Sequence, residues 1–486
     1  MSTNQDNTEI ISRVLSGARW AMMIRLAAQA VSWLSTIIVV RFISTHDYGL
    51  NAMLEAPMGL LFLLSTFGLD MALVRVKNVS NDELRSVFGW LLVVNGLLFL
   101  AYFFGGTLLA AYFKEPRLEL LSRALAFVFL LVPFRVIPDA LLDRELKFKL
   151  KASAELISSV VTTVVTLILA VMGAGIWALV DGMLVNRFLL AVLLMSLQPW
   201  IVKPSFKFSI ARGMIAFGGT MALATAVATV GNMLPVWIAG PKLGAETLGV
   251  FAVAMSFALL PLTKIMPVLI PIIFPAFAKF QGQPVAVAHY LEKTLEISSL
   301  VLLPVMVGMA CVAEEFVMVV LGEQWELTVV PLALLSLVVP FRAVASLLRQ
   351  VLGGIGFART TLISVVIYLL IFLPLVMLGS NYGILGVVLA VIVTEPIVTL
   401  ATIRLSKHAI DTSFSKILFR LRPAVISSAI MAAGVLGVKG LLHQSELIRL
   451  VFEVFAGLVI YVAVLRVFFN SHLDAALRLL LGKSPV

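Results

Sequence analysis

Five basic side chains fall inside long apolar stretches of this chain: Arg25, Arg135, Arg187, Lys264 and Arg342. A charge at mid-bilayer costs on the order of 2.5–3.5 kcal/mol on insertion scales, so such residues face a cavity or a partner. Guanidinium and ammonium groups around a cavity suit a phosphate or pyrophosphate, because they hold its oxygens with charge-assisted hydrogen bonds. Two of the five are twins. Leu131-Val132-Pro133-Phe134-Arg135 returns as Val338-Val339-Pro340-Phe341-Arg342, 207 positions later. Arg187 has its counterpart 208 positions on, but there the residue is an acid, Glu395, followed by Pro396. A carboxylate at that depth can bind a proton or Na⁺, and the proline frees a backbone carbonyl beside it.

Arg25, Arg135, Lys264 and Arg342 are therefore the candidates for binding an anion. Arg187, Glu395 and Asp181 are the candidates for ion coupling or gating, with Arg187 and Glu395 expected to approach one another or to flank an ion. Each has a plainer reading. Arg25 can snorkel to the nearer membrane face. Arg135 has Asp139 four residues on, where a helix would pair them. Arg342 has Ser346 at that spacing and lacks such a partner, and Lys264 has no acid nearby in sequence. Arg187 and Glu395 can form a structural ion pair.

The elements that carry these residues follow from composition. The chain has 486 residues, of which 61% are hydrophobic and 13% charged, and a mean hydropathy of +1.08. Continuous apolar runs near 20 residues match a hydrocarbon core about 30 Å thick. They lack the alternation of an outer-membrane barrel. The sequence predicts an all-α membrane protein with helices at 20–43, 48–74, 87–112, 119–142, 152–172 and 175–197. A second set follows at 213–239, 248–274, 291–312, 329–352, 360–378 and 384–406, and a trailing pair at 423–442 and 448–469. That is about 14 transmembrane helices. The duplicated phrases, together with Gly175-Ile176 and Gly383-Ile384 at an offset of 208, divide them into two pseudo-symmetric six-helix lobes and a C-terminal helix pair. The expected boundaries are an interfacial segment 1–18, an N-lobe 19–197, a linker 198–212, a C-lobe 213–406, a linker 407–422, the helix pair 423–470 and a tail 471–486.

Charge placement gives an orientation. With both termini cytoplasmic, the cytoplasmic segments hold 24 of the 36 Lys and Arg and the opposite side holds 7. This bias is what insertion selects. It accounts for most of the net charge of +10 without a nucleic-acid partner. Tryptophans, Trp325 among them, are expected near helix ends at the membrane–water interface. No cleavable signal is expected, because the first apolar run is too long. Six helices per lobe make the repeat parallel, with a transported species between lobes that rock against each other. Pro261, Pro267, Pro271 and Pro275 mark the eighth helix as a bendable gate.

Several chemistries are excluded. No G-x-x-x-x-G-K-[ST] phosphate loop is present; Gly353-Gly354-Ile355-Gly356 lacks the lysine. The five histidines lack metal-ligand spacing, and the lone Cys311 cannot form an intrachain disulfide. No catalytic triad or carboxylate pair can be assembled, and no metal or organic cofactor is expected. A cation-coupled drug antiporter would want an acidic chamber, and this chain offers more buried base than acid. A membrane glycan polymerase would be expected to carry a large external loop. A non-transporting scaffold would tolerate joint loss of Arg342 and Lys264.

Three segments resemble a known family. The run Arg41-Phe42-Ile43-Ser44-Thr45-His46-Asp47-Tyr48-Gly49-Leu50 is similar to the R-x-L-x-x-x-[DE]-[YF]-G connector after the first helix of Wzx-type polysaccharide flippases. These belong to the multidrug/oligosaccharidyl-lipid/polysaccharide exporter superfamily. Phe67-Gly68-Leu69 with Val74-Arg75 resembles their second-helix ending, and Leu141 to Phe148 their fourth-to-fifth connector. The resemblance spans essentially the whole chain. It implies a bacterial inner-membrane protein that moves an undecaprenyl-pyrophosphate-linked oligosaccharide from the cytoplasmic to the periplasmic leaflet by alternating access. It also implies a proton or Na⁺ as coupling ion, membrane lipid as a partner, and a polymerase and export machinery of the same pathway as possible partners. Arg25, Arg135, Lys264 and Arg342 would hold the pyrophosphate, and the trailing helices would guide the lipid tail.

Overall fold

The computed structural model describes residues 35–76, 79–200, 202–280, 282–440 and 445–472, together with Ile24 and Asp474. Arg25 and most of the expected first helix lie outside them. All regular structure among the described residues is helical. Eleven stretches are long and apolar enough to cross a membrane, and one of them, 359–406, contains two helices. The chain is a multi-pass membrane protein. Its contacts divide it into two units after Gly249.

The first unit contains α1 (Thr45–Thr66), α2 (Leu69–Arg75), α3 (Asn81–Phe113), α4 (Arg117–Arg144), α5 (Phe148–Val171), α6 (Ile176–Leu197) and the first part of α7 (Arg212–Lys279). The flippase-like connectors have physical jobs here. Ser44 caps α1 by accepting from the Asp47 amide, and Asp47 pairs with Arg117 at the start of α4 at 3.0 Å. A Cβ at Gly49 would run into the Ala245 carbonyl, and one at Gly249 into that of Thr45. Glycine at both positions lets α1 and α7 touch backbone to backbone. Phe67 and Gly68 take left-handed conformations that end α1 and begin α2. Arg144, at the end of α4, donates to the Leu73 and Val76 carbonyls and satisfies the open end of that short helix. The loop expected at 240–247 is a single non-helical residue, Gly244 (φ 77°).

The second unit holds the rest of α7, then α8 (Pro284–Cys311), α9 (Ala313–Phe316), a π turn and a 3-10 turn to Thr328, α10 (Val329–Gly354), α11 (Ala358–Gly379), α12 (Gly383–Ser406), α13 (Phe414–Lys439) and α14 (Glu446–Phe468). Trp325 lies in the 3-10 turn just before α10, and its side chain is fully buried. Of the four prolines of the expected gate, the side chains of Pro267, Pro271 and Pro275 lie outside the described residues.

The repeat is visible in each unit's internal wiring. In the first, α4 and α5 both pack on α6, and α3 packs on α4; in the second, α10 and α11 both pack on α12, and α8 packs on α10. The turn between the first two of each trio is the same turn. Glu145, Leu146 and Lys147 amides donate to the carbonyls of Leu141, Asp143 and Leu142. Ile355, Gly356 and Phe357 amides donate to those of Val351, Gly353 and Leu352. The positive-φ position is Leu146 (φ 54°) in one and Gly356 (φ 93°) in the other. Gly175 and Gly383, both at positive φ, then open α6 and α12.

Candidate anion site and its duplicated counterpart

In the first unit, α4 and α6 bring Arg135 and Arg187 to one cavity of about 130 Å³. Phe62, Ser65 and Thr66 of α1 and Val128, Leu131 and Val132 of α4 complete its walls. At about 30 Å³ of liquid volume per water, the space holds a handful of waters. This suits a phosphoryl group and its hydration better than an oligosaccharide.

The walls are held firmly. Asn95 of α3 is fully buried and donates to the Ser65 carbonyl at 2.8 Å and to the Leu91 carbonyl at 2.9 Å, fixing α1 on α3. Phe129 packs on Phe62 and Tyr102, and Tyr102 donates to the Leu54 carbonyl at 3.0 Å. The Arg187 guanidinium lies 4.7 Å from the centre of the Phe62 ring, a cation–π contact that orients it without neutralising it.

The partner expected for Arg135 is engaged elsewhere. Asp139 bonds Lys151 at 2.8 Å, and Lys151 bonds Asp143 at 2.8 Å as well. The i,i+4 spacing offers Arg135 an acid, but a lysine from α5 takes it. Among the described residues no carboxylate lies within ion-pair distance of Arg135 or Arg187, and the two guanidiniums are near enough to feel each other's charge. Two like charges at a partly apolar cavity form a site preset for an anion. Asp181, six residues before Arg187 on α6, is half-buried and does not line the cavity.

The second unit places the duplicated positions differently. Arg342 of α10 and Glu395 of α12 pair at 3.6 Å, with Glu395 only 3% exposed. The acid expected to meet Arg187 is thus bound to an arginine of its own unit. Arg349 and Tyr368 lie close enough to Glu395 to interact with its charge. Thr399 donates to the Phe341 and Glu395 carbonyls at 2.9 and 2.8 Å, tying α12 to α10 beside the pair. Lys264 is half-buried on α7 and is not among the residues lining the Arg135–Arg187 cavity. Arg25 lies outside the described residues.

Sequence reasoning missed Phe62, Ser65 and Thr66, which no motif marks. It also missed Arg349, which the charge bias assigned to a membrane face, and Tyr368, which reads as one more apolar position in α11.

The model of a family described as polysaccharide biosynthesis protein matches residues 38–331. The chain is 25% identical over 400 residues to the lipopolysaccharide biosynthesis protein WzxC of Escherichia coli strain K12, covering 80% of each. It is 24% identical over 333 residues to the teichuronic acid biosynthesis protein TuaB of Bacillus subtilis strain 168, covering 68% of each. The structure resembles the lipid II flippase MurJ in its inward closed conformation, with a TM-score of 0.77 and 15% identity, over 93% of this chain and 99% of that one.

Proposed function

We propose that this chain, which belongs to the polysaccharide biosynthesis protein family, is a Wzx-type flippase of the multidrug/oligosaccharidyl-lipid/polysaccharide exporter superfamily that carries an undecaprenyl-pyrophosphate-linked oligosaccharide from the cytoplasmic to the periplasmic leaflet of the inner membrane, with both termini cytoplasmic. The observation that carries the reading is the Arg135–Arg187 pair at one cavity, with no carboxylate at ion-pair distance among the described residues. The pyrophosphate is the invariant anionic part of such a substrate, and two guanidiniums with the Thr66 hydroxyl supply the donors it needs.

The Arg342–Glu395 pair is the coupling element in this proposal. Protonation of Glu395, or a Na⁺ on it, would release Arg342 within the second unit and bias that unit's packing of α10 on α12. Asp181 is a second candidate for the ion. An apolar groove of about 270 Å³ between α8, α10, α12 and α13 in the second unit, lined by Leu302, Phe341, Leu347, Leu418 and Leu421 among others, suits a lipid tail. A drug antiporter of the same fold is disfavoured because the cavity is basic, and nothing in the site suggests bond-making chemistry. Deleting the gene and restoring Arg135→Gln/Arg187→Gln tests the reading. The expected outcome is a lipid-linked glycan trapped on the cytoplasmic leaflet. Normal export by the double variant would overturn it.

A further inference from the structure

Glu453 is a buried acid that the proposed transport cycle does not use. It sits two turns into α14, is 0% exposed, and neither of its carboxyl oxygens has a hydrogen-bond partner among the described residues. A bare carboxylate in that position would cost several kcal/mol.

The surrounding charges explain why it is left over. Glu314 and Glu315 face it from α9, Lys439 from α13 and Arg449 from its own helix, with Cys311 of α8 also near. The two cations are already engaged. Lys439 bonds Glu314 at 2.9 Å and Glu315 at 3.0 Å, and Arg449 approaches Glu315 at 3.7 Å. Glu315 is itself 0% exposed and takes charge from both. Two bases thus serve two acids, and Glu453 is the third acid.

A second unpaired atom lies beside it. The Nε of Arg449 is buried and has no acceptor among the described residues. Arg449 precedes Glu453 by four residues, so both lie on one face of α14. An unused donor and an unused acceptor on neighbouring turns form a bond that is poised but unmade.

We propose that Glu453 is a proton-binding site that controls how α14 docks on the α9–α13 end of the second unit. With the proton on, Glu453 is a neutral carboxylic acid and Arg449 leans on Glu315. When the proton leaves as H⁺ to water, the carboxylate draws Arg449 from Glu315 through the idle Nε, and α14 loses its ionic tie to α9. The ligand is the proton, and the element it biases is the last helix of the chain. The inference stands apart from the anion site and holds whichever substrate that site takes.

The full-length protein in phospholipid nanodiscs tests this by infrared titration. The wild type should show a protonated-carboxyl stretching band at neutral pH that fades on alkaline titration, and Glu453→Gln should lack that band. In parallel, the protection factors of α14 amides in the wild type, corrected for base-catalysed intrinsic exchange, should be about tenfold lower above the titration than below it, with Glu453→Gln keeping the higher protection throughout. Arg449→Gln, which keeps the acid and removes its waiting partner, should carry the band to higher pH. Wild-type and Glu453→Gln spectra that coincide at neutral pH would overturn the proposal. So would α14 protection factors that ignore pH in the wild type. If Glu453→Gln fails to fold, the Arg449→Gln band decides: persistence to higher pH supports the site, and an unchanged titration contradicts it.

Discussion

The trio α4–α6 and the trio α10–α12 share their helix pairings, their turn hydrogen bonds and the position of their paired prolines and arginines. They differ where a single side chain meets the duplicated arginine. Arg135 faces Arg187 across a cavity, whereas Arg342 faces Glu395 at 3.6 Å. One scaffold thus carries a fixed positive site in the first unit and a neutralised pair in the second. Backbone architecture is retained through duplication because it is set by many contacts at once. Charge at one position can be reversed by one substitution, and that is where the two units differ.

The largest effect should come from removing the two guanidiniums that share the first unit's cavity. Arg135→Gln/Arg187→Gln is expected to lower flipping by about 100-fold or more, since each charged contact to a phosphate is worth about 1.5–3 kcal/mol. A leaflet-resolved assay of lipid-linked glycan measures it. Stability should move the opposite way in the two units. Glu395→Gln breaks a buried pair and should cost about 3 kcal/mol, the low end for such a break, because Arg342 keeps 21% of its side chain exposed. Arg187→Gln loses a cation–π contact worth about 0.5–1 kcal/mol but relieves repulsion from Arg135, so its unfolding midpoint in denaturant should stay near wild type. A large loss for Arg187→Gln and none for Glu395→Gln would erase the distinction drawn between the units.

The shared turn sharpens the comparison at smaller scale. Leu146 holds a left-handed conformation that costs an L-residue about 1–2 kcal/mol, where the second unit uses Gly356. Gly356→Ala should therefore destabilise by about 1 kcal/mol, while Leu146→Gly should be neutral or stabilising. Chemical denaturation of both variants checks the pair. The smallest effect concerns acid. The Lys147 ammonium, hydrogen-bonded to Glu145 in the first unit's turn, holds that carboxyl below its usual range; the second unit has Ile355 there. The stabilisation is present above the ordinary carboxylate range and is lost as pH falls through the lowered folded value. Both groups are over two-fifths exposed, so solvent screening limits it to about 0.2–0.5 kcal/mol. Lys147→Met should remove that acid dependence from the stability of the first unit's turn.

Much of this was legible in the sequence. The twin Pro-Phe-Arg phrases and the 208-residue offset of Gly175 and Gly383 predict the repeat because depth in a bilayer and turn chemistry are local properties. The flippase-like connectors are equally local: Ser44 caps, Asp47 pairs, Gly49 permits contact. Pairing is not local. Asp139 stands at helical spacing from Arg135 yet binds Lys151, and Ser346 suggested a partnerless Arg342 whose acid arrives from 53 residues away. Side-chain partners across helices depend on rotation about each helix axis, which continuous apolar runs leave unmarked because every face is hydrophobic.

The most direct measurement is binding of undecaprenyl pyrophosphate to the purified protein in detergent, followed by native mass spectrometry. Three forms are compared: wild type, Arg135→Gln/Arg187→Gln and Arg342→Gln/Glu395→Gln. A tenfold or greater loss of affinity confined to the first double variant, about 1.4 kcal/mol or more, is the predicted result. Equal loss in both variants, or retention of wild-type affinity without Arg135 and Arg187, would contradict the assignment of the headgroup to the first unit.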